Sequence, residues 1–336
     1  MDYRQLGTSG LKVSPICIGT MMFGDRTDTN EAKRIVDSGF DAGINFIDTA
    51  DAYVSGESER ITGKLIADKR SRWILATKVG NPFGNDPNDR GLSRRWIMKA
   101  CEASLARLST DYIDIYYAHI DFSDTPMHET IRAFGDLIRA GKIRYFGISN
   151  YRGWRIALVM QTCKELGVPP PIVCQPYYNA MNRMPEVEIL PACQHFGIGV
   201  VPYSPVARGV LTGKYQPGTP PAAESRAGRG DKRIMQTEFR EESMLLAQEI
   251  KAHAEKRGMT ASQFAVHWVL NNQTINSVIA GPRTMDQWNE YLGVFKCTFT
   301  AEDEALVNCL VQTGHPSTPG YNDPQYPLTG RNARVV

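Results

Sequence analysis

The feature that most constrains the fold is a regular alternation of short β-rich runs with helical patterns. Between the runs, apolar residues recur every three or four positions, as at Ile97, Cys101, Leu105 and Leu108, which is typical of a helix with one buried stripe. The alternation therefore predicts repeated β-strand and α-helix units. The eight runs are SPICIGT (14–20), INFIDTA (44–50), WILATK (73–78), YIDIYYAH (112–119), IRYFGISN (143–150), PIVCQPYY (171–178), IGVVPYS (198–204) and SVIAG (277–281).

Eight such units in 336 residues fit a closed parallel barrel better than an open doubly wound sheet, because no G-x-G-x-x-G follows the first strand. We predict an α/β fold, a (β/α)8 TIM barrel that forms a single domain over residues 1–336. YRQLG and LKVS flank Thr8-Ser9-Gly10, which predicts an N-terminal β-hairpin that caps the bottom of the barrel. A C-terminal helix and a tail, 314–336, follow the last strand.

Composition excludes several classes of function. The formal charge of +2 comes from 38 basic and 36 acidic side chains that are interspersed along the chain, so we expect no nucleic-acid partner. No run of about 18 apolar residues is present, and the N-terminus lacks the basic start and apolar stretch of a signal peptide. We therefore expect no membrane partner and a cytoplasmic location. The oligomeric state does not follow from the sequence.

The predicted strand ends are unusually polar. In a parallel barrel the active site lies at the C-terminal ends of the strands. The second, third and fourth strands end in Asp48, Lys78 and His119, and Tyr53 follows in the loop beyond Asp48. The other strand ends carry Gly19-Thr20, Ser149-Asn150, Gln175, Tyr203-Ser204 and Gly281.

These four side chains suggest one reaction. Asp48 and Lys78 can form a partly buried ion pair, and a nearby cation is expected to lower the pKa of the Tyr53 phenol from its usual value of about 10. With His119 on the same oxygen, the group would polarise a carbonyl and protonate the alkoxide formed when a hydride arrives. Because none of the four donates a hydride, a nicotinamide cofactor is required.

These four residues also permit interpretations other than catalysis. Taken singly, the charged pair, the histidine and the tyrosine could each be structural. Asp48, Asp51 and His119 could be imagined around a metal ion, as in a sugar isomerase, but Lys78 beside them argues against a bound cation. We therefore predict no metal site.

Several motifs in this order resemble the aldo-keto reductase family, in the branch that includes the potassium-channel β-subunits and bacterial relatives. They run from LGTSGLKVSPICIGTMMFG through GINFIDTADAY, WILATKVG, YIDIYYAH, GKIRYFGISNY, CQPYYN, VPYSPVARGVLTGKY and SRAGRG to VIAGPRTMDQWNEYL, about residues 3 to 295. By motif, the family's catalytic tetrad falls on Asp48, Tyr53, Lys78 and His119, the four residues already selected.

The resemblance also implies an NADPH or NADP site across the barrel mouth. Ser149, Asn150 and Gln175 would hold the carboxamide, Tyr203 would stack on the nicotinamide, and Ser204, Pro205, Val206 and Ala207 would follow the pyrophosphate. Thr20 and Met21 would line the ribose side, and Gly19 and Asp48 are further implied cofactor contacts. Gly281, Arg283, Gln287 and Glu290 would hold the adenosine 2′-phosphate.

The segment 215–238, rich in Pro, Gly and charge, is too long for a plain connection and is either a disordered insert or a lid. The resemblance favours a cofactor-covering loop over 206–238, with Lys214 and Arg226 closing over the dinucleotide. The chemistry of Arg283 independently supports a phosphate contact, because a guanidinium near a helix start is suited to binding a phosphate.

The sequence thus predicts NADPH-dependent reduction of a small-molecule aldehyde or ketone, with Tyr53 as general acid. The alternative is a redox-sensing, NADPH-binding protein like the β-subunits, with little turnover. Tyr53, His119, Met22, Phe23 and Phe83 are the predicted substrate contacts. Tyr151, and Tyr321 and Tyr326 from the tail, could complete that apolar pocket. The sequence does not identify the carbonyl substrate.

Overall fold

The structure, a computed structural model, describes residues 1–328. Contacts divide the chain into two compact units. The barrel unit contains Met1–Tyr177, Glu188–Tyr203 and Leu270–Gly293. The second unit contains Tyr178–Val187, Ser204–Val269 and Val294–Val336, of which 329–336 lie outside the described residues. The single domain over 1–336 stays a prediction, and the predicted tail 314–336 is described as far as residue 328.

The barrel unit holds eight parallel strands, seven of which lie within predicted runs, and the strand Ile74–Val79 extends one residue beyond its run, 73–78. Each strand pairs with its neighbours in chain order, and the last of the eight returns to pair with the first. Parallel bridges between Val200 and Ile275 and between Tyr203 and Ile279 join the two ends of the sheet. The predicted (β/α)8 barrel is confirmed. The strands are β3 Ile16–Gly19, β4 Phe46–Asp48, β5 Ile74–Val79, β6 Ile113–Ala118, β7 Ile143–Ser149, β8 Val173–Gln175, β9 Gly199–Val200 and β10 Val278–Ala280.

Helices separate these strands, and they are numbered in chain order through both units. Local signals fix their ends: the Asp28 side chain caps the first helix by accepting from the Glu31 amide at 2.9 Å, and Gly167, at φ 64°, ends the fifth helix in the left-handed conformation. Successive helices pack on one another, and the first packs on the last helix of the unit. The helices of the barrel unit are α1 Thr29–Asp41, α2 Glu57–Ile66, α3 Arg94–Leu108, α4 Met127–Arg139, α5 Gly153–Leu166, α6 Ile189–Phe196 and α10 Met285–Gly293.

The predicted hairpin covers the N-terminal ends of the strands. Its strands, β1 Arg4–Gln5 and β2 Lys12–Val13, pair antiparallel. Leu6 of the hairpin is fully buried in the cluster that fills the barrel. The Thr8 amide donates to the Gly197 carbonyl at 2.9 Å, close to the start of β9. The hairpin therefore closes the bottom of the barrel, and the C-terminal strand ends remain for a site.

The second unit contains the rest of the helices and the predicted covering loop. Its helices are α7 Lys232–Met235, α8 Glu241–Lys256, α9 Ala261–Asn271 and α11 Ala301–Leu310. The last two residues of α9, which follow Val269, are assigned to the barrel unit. The loop 206–238 contains a 3₁₀ segment, Ala207–Thr212, and α7, so it is folded. The tail packs within this unit: Asp323 pairs with Arg233 at 2.7 Å, and Arg240 lies over the Tyr321 ring. Across residues 1–328, no helix combines the length and apolarity that a membrane crossing requires.

Candidate active site

Asp48 and Lys78 form a buried ion pair at the C-terminal ends of β4 and β5. Their side chains are 2% and 0% exposed, and Lys78 Nζ donates to Asp48 Oδ1 and, at 2.7 Å, to the Thr49 carbonyl. Gln175 Nε2 donates to the second carboxylate oxygen at 3.0 Å. Both carboxylate oxygens and the ammonium are thus satisfied, which is what a buried pair requires. Lys78 and Gln175 thus occupy both oxygens of the Asp48 carboxylate, which the alternative metal site would need as a ligand.

Tyr53 reaches this pair from a strained turn. Lys78 Nζ donates to the Tyr53 hydroxyl at 3.2 Å. The two residues that follow, Val54 and Ser55, adopt positive φ values of 46° and 53°. A positive φ is costly for a β-branched residue such as Val54 and is retained where surrounding structure enforces it. Backbone strain therefore lies next to the phenol that the ammonium contacts.

The pKa of Tyr53 is raised, which corrects the lowered pKa predicted from the sequence. Burial of the phenol is the largest cause, and the charge of Asp48 adds to it, so together they outweigh the favourable effect of Lys78. Asp48 and Tyr53 in turn raise the pKa of Lys78 against the opposing effect of its burial. At neutral pH the site therefore presents a protonated phenol beside a charged ammonium.

His119 completes the predicted tetrad. It follows β6 directly, and its ring meets the Tyr53 ring edge to face, with centroids 5.9 Å apart. Burial and the Lys78 charge hold the pKa of His119 well below its usual value, so the imidazole is neutral at physiological pH. The structure thus brings all four predicted catalytic side chains together.

The predicted carboxamide contacts form one network at the ends of β7 and β8. Ser149 Oγ donates to the Gln175 carbonyl at 2.8 Å. Asn150 Nδ2 donates to the His119 carbonyl at 2.9 Å, and the Tyr203 hydroxyl donates to Asn150 Oδ1 at 2.9 Å. Tyr203 also stacks on Tyr177. The amide and hydroxyl groups are therefore held in fixed orientations beside the tetrad.

Residues predicted near the ribose and substrate follow β3. The Thr20 hydroxyl is fully buried and contacts the Asp48 carbonyl at 3.1 Å and Ser58 Oγ at 2.7 Å, so it supports the tetrad strand. Gly19 ends β3, Met21 is exposed and Met22 is half-buried, whereas Phe23 is fully buried. Phe83 is half-buried under the Arg107 guanidinium. As cofactor or substrate contacts these residues stay predictions.

The predicted phosphate element follows β10. Gly281 is exposed, and Arg283 donates its backbone amide to Gln287 Oε1 at 2.9 Å. Within residues 1–328 the Arg283 guanidinium makes neither a hydrogen bond nor an ion pair. The first amide of α10, at Met285, instead donates to the Glu31 carboxylate at 2.6 Å. The helix start is therefore already partnered by an acid. Glu290, half-buried on α10, also belongs to this predicted set.

The rest of the predicted cofactor contacts lie in the second unit, which the chain enters after Tyr203. Ser204 and Ala207 have positive φ values of 58° and 47°, and the Ser204 hydroxyl accepts from Arg208 at 3.0 Å. Arg226 pairs with Asp231 at 2.9 Å. The predicted residues in this unit are Ser204, Pro205, Val206, Ala207, Lys214 and Arg226, and their cofactor contacts stay predictions.

Two further carboxyl groups lie beside the tetrad, Asp51, which the sequence placed only in the alternative metal site, and Glu59, to which it gave no role. Burial, the largest cause, and the nearby Glu59 charge raise the pKa of Asp51 to about 8, so Asp51 is mainly neutral at pH 7. Glu59 is fully buried and is satisfied by Arg107 Nε at 2.5 Å and by Thr77 Oγ1 at 2.6 Å. Asp51 lies in the segment DTADAY, 48–53, between Asp48 and Tyr53, but nothing in the sequence pattern indicates that its side chain is buried.

Comparison with known proteins adds an independent observation. The sequence matches the Aldo/keto reductase family over residues 15–311. It is 37% identical over 297 residues to a probable voltage-gated potassium channel subunit beta of Arabidopsis thaliana, covering 86% of this chain and 90% of that protein. A rice (Oryza sativa subsp. japonica) protein of the same description is 36% identical, covering 96% and 100%. An uncharacterized oxidoreductase of Bacillus subtilis (strain 168), YrpG, is 35% identical, covering 95% and 98%. These matches confirm the resemblance predicted from the motifs.

Proposed function

Because the chain belongs to the aldo/keto reductase family and is an oxidoreductase, we propose that it reduces an aldehyde or ketone to the alcohol with NADPH, with Tyr53 as general acid. The observation that carries this proposal is the ammonium of Lys78, which donates both to Asp48 and to the Tyr53 hydroxyl inside the buried end of the barrel. A phenol held by a fixed cation is suited to giving a proton to a developing alkoxide.

The residues present fit a nicotinamide dinucleotide phosphate. The amide and hydroxyl network of Ser149, Asn150 and Gln175 would hold the carboxamide, and the uncommitted Arg283 guanidinium would hold the 2′-phosphate. When bound, NADPH supplies a hydride to the carbonyl carbon. The oxygen of the substrate then needs a proton and hydrogen-bond donors, which the tetrad supplies.

The proton path follows from the tetrad's charge states. Tyr53 is protonated at neutral pH and gives its hydroxyl proton to the alkoxide oxygen, which leaves a phenolate. Lys78, 3.2 Å from that oxygen and held by Asp48, stabilises the phenolate charge. The neutral His119 ring donates a hydrogen bond to the substrate oxygen and does not compete as an acid. Uptake of a proton from solvent restores Tyr53 for the next turnover.

Substitution of the phenol tests this mechanism directly. We expect Tyr53→Phe to lower kcat for an aromatic aldehyde by about 10²- to 10⁴-fold, the usual contribution of a general acid, with NADPH binding retained. NADPH absorbance reports turnover, and quenching of NADPH fluorescence by the protein reports binding. Tyr116→Phe removes a buried hydroxyl elsewhere in the barrel and is the matched control, with kcat unchanged. A Tyr53→Phe enzyme as fast as wild type would refute the mechanism.

A second candidate function rests on the two plant relatives described as potassium channel β-subunits. In that case the chain binds NADPH and reports its redox state to a membrane partner with little turnover. The tetrad geometry is common to both functions, so turnover discriminates between them. Negligible activity over a broad carbonyl panel, together with a stoichiometric complex with a membrane protein, would favour the second function.

A further inference from the structure

The His119 ring has a hydrogen-bond partner that neither the family pattern nor the proposed mechanism assigns. Asn81 Nδ2 lies 2.9 Å from His119 Nδ1. Asn81 is half-buried, two residues after the end of β5 and three after Lys78. Within residues 1–328 it is the one hydrogen-bond partner of the imidazole.

This contact fixes which ring nitrogen carries the proton. An amide nitrogen can only donate, so His119 Nδ1 accepts and has no proton of its own. The low pKa of His119 keeps the ring neutral, and a neutral imidazole carries one proton. That proton is therefore on Nε2, which becomes a hydrogen-bond donor.

The loop backbone places Asn81 for this contact. Gly80 has a φ of 138°, a conformation that residues with side chains rarely adopt, and its carbonyl accepts from the Gly91 amide at 2.8 Å. On the other side, the His119 amide donates to the Val79 carbonyl at 2.9 Å. The strand end that carries Lys78 and the loop that follows it thus hold both the backbone and the ring of His119.

We propose that Asn81 is a positioning residue that selects the Nε2-protonated tautomer of His119, so that the imidazole donates a hydrogen bond to the carbonyl oxygen of the substrate. The inference rests on the proposed function for its catalytic consequence, but the tautomer itself is a property of the protein without cofactor. Asn81 acts through His119 and does not itself contact the reacting atoms.

The test compares wild type with Asn81→Asp and Asn81→Ala. A carboxylate only accepts, so Asn81→Asp draws a proton onto Nδ1 and raises the pKa of His119. Below that pKa the doubly protonated ring still donates from Nε2, and above it Nε2 loses its proton. We therefore expect kcat of Asn81→Asp to fall with rising pH, to about 10²-fold below wild type, the usual loss on removing one such donor. Wild type shows no such step. Asn81→Ala should show a smaller loss, roughly twofold where the two tautomers are equally populated, with no new pH step.

Two further measurements separate this inference from the proposed function. Nitrogen-15 NMR of the cofactor-free protein distinguishes protonated from unprotonated ring nitrogens, and we expect an unprotonated Nδ1 in wild type and a protonated Nδ1 in Asn81→Asp. Asn85→Asp places the same charge on an exposed position of the same loop and is the matched control, with the wild-type tautomer and pH profile. A protonated Nδ1 in neutral wild-type His119 would overturn the inference. An unprotonated Nδ1 in a protein that reduces no carbonyl would support the inference and refute the proposed function.

Discussion

We expect Asp51 to make the stability of the protein depend on pH, because this residue is 1% exposed and one of its carboxyl oxygens has no hydrogen-bond partner within residues 1–328. Its pKa rises from an ordinary 3.8 to about 8 in the folded protein. A raised folded pKa gives stability that is complete below the unfolded pKa and is lost as the pH rises through the folded value. Asp51→Asn has no such titration. The stability of wild type should therefore decrease relative to Asp51→Asn between pH 4 and 8.

The magnitude follows from the two pKa values. Each pH unit between them changes the free energy of unfolding by up to about 1.4 kcal/mol, so from pH 5 to 8 wild type should lose about 3–4 kcal/mol relative to Asp51→Asn. Reversible urea unfolding of both proteins at pH 5, 6, 7 and 8 measures the difference.

The matched control for Asp51→Asn is Asp136→Asn. Hydrogen bonds from Arg94 and Arg139 lower the pKa of Asp136, so its titration lies below this pH range and its stability difference should stay constant. Parallel stability profiles for wild type and Asp51→Asn across pH 5 to 8 would refute the reasoning. Carbon-13 NMR of the Asp51 carboxyl provides a direct check, since its signal should titrate near pH 8.

Three other substitutions test charges near the site. Arg107→Met should destabilise the protein by about 3–5 kcal/mol in urea unfolding, because it leaves the buried Glu59 carboxylate without its cation. Its control is Arg94→Met, which removes a more exposed ion pair and should cost less than about 1 kcal/mol. Arg283→Ala should lower the ratio of kcat/KM for NADPH to that for NADH at least tenfold, and an unchanged ratio would exclude this guanidinium from phosphate binding. Glu31→Gln should raise the same ratio severalfold, because it removes a negative charge from the start of α10.

The positions of three of the four predicted catalytic side chains could be derived from sequence, because one local pattern and one general rule determine them. The β-rich runs locate Asp48, Lys78 and His119 at strand ends, and a parallel barrel brings all strand ends to one face. The pKa of Tyr53 could not be predicted in the same way. It is the balance of burial against two opposite charges, and burial of a loop residue is a property of the folded chain.

Other contacts were missed because they join distant segments or depend on one backbone angle. Glu31 reaches the start of α10 across 254 positions of sequence, so local sequence alone does not reveal that an acid partners this helix start. Asn81 meets His119 because Gly80 takes up a positive φ, which no periodicity indicates. Strand ends therefore identify the candidate catalytic groups, whereas their protonation states depend on burial, which the sequence does not give.

The protonation states argue for one direction of reaction. In the proposed mechanism reduction would consume the phenol form of Tyr53, whereas oxidation of an alcohol would need the phenolate as base. Because burial raises the pKa of Tyr53, the phenol dominates at neutral pH, and the phenolate fraction grows tenfold with each pH unit below that pKa. We therefore expect kcat for alcohol oxidation with NADP to rise about tenfold per pH unit between pH 7 and 9 while kcat for reduction stays nearly constant. Steady-state kinetics in both directions measure this difference, and equal pH profiles would mean that Tyr53 is not the group that exchanges the proton.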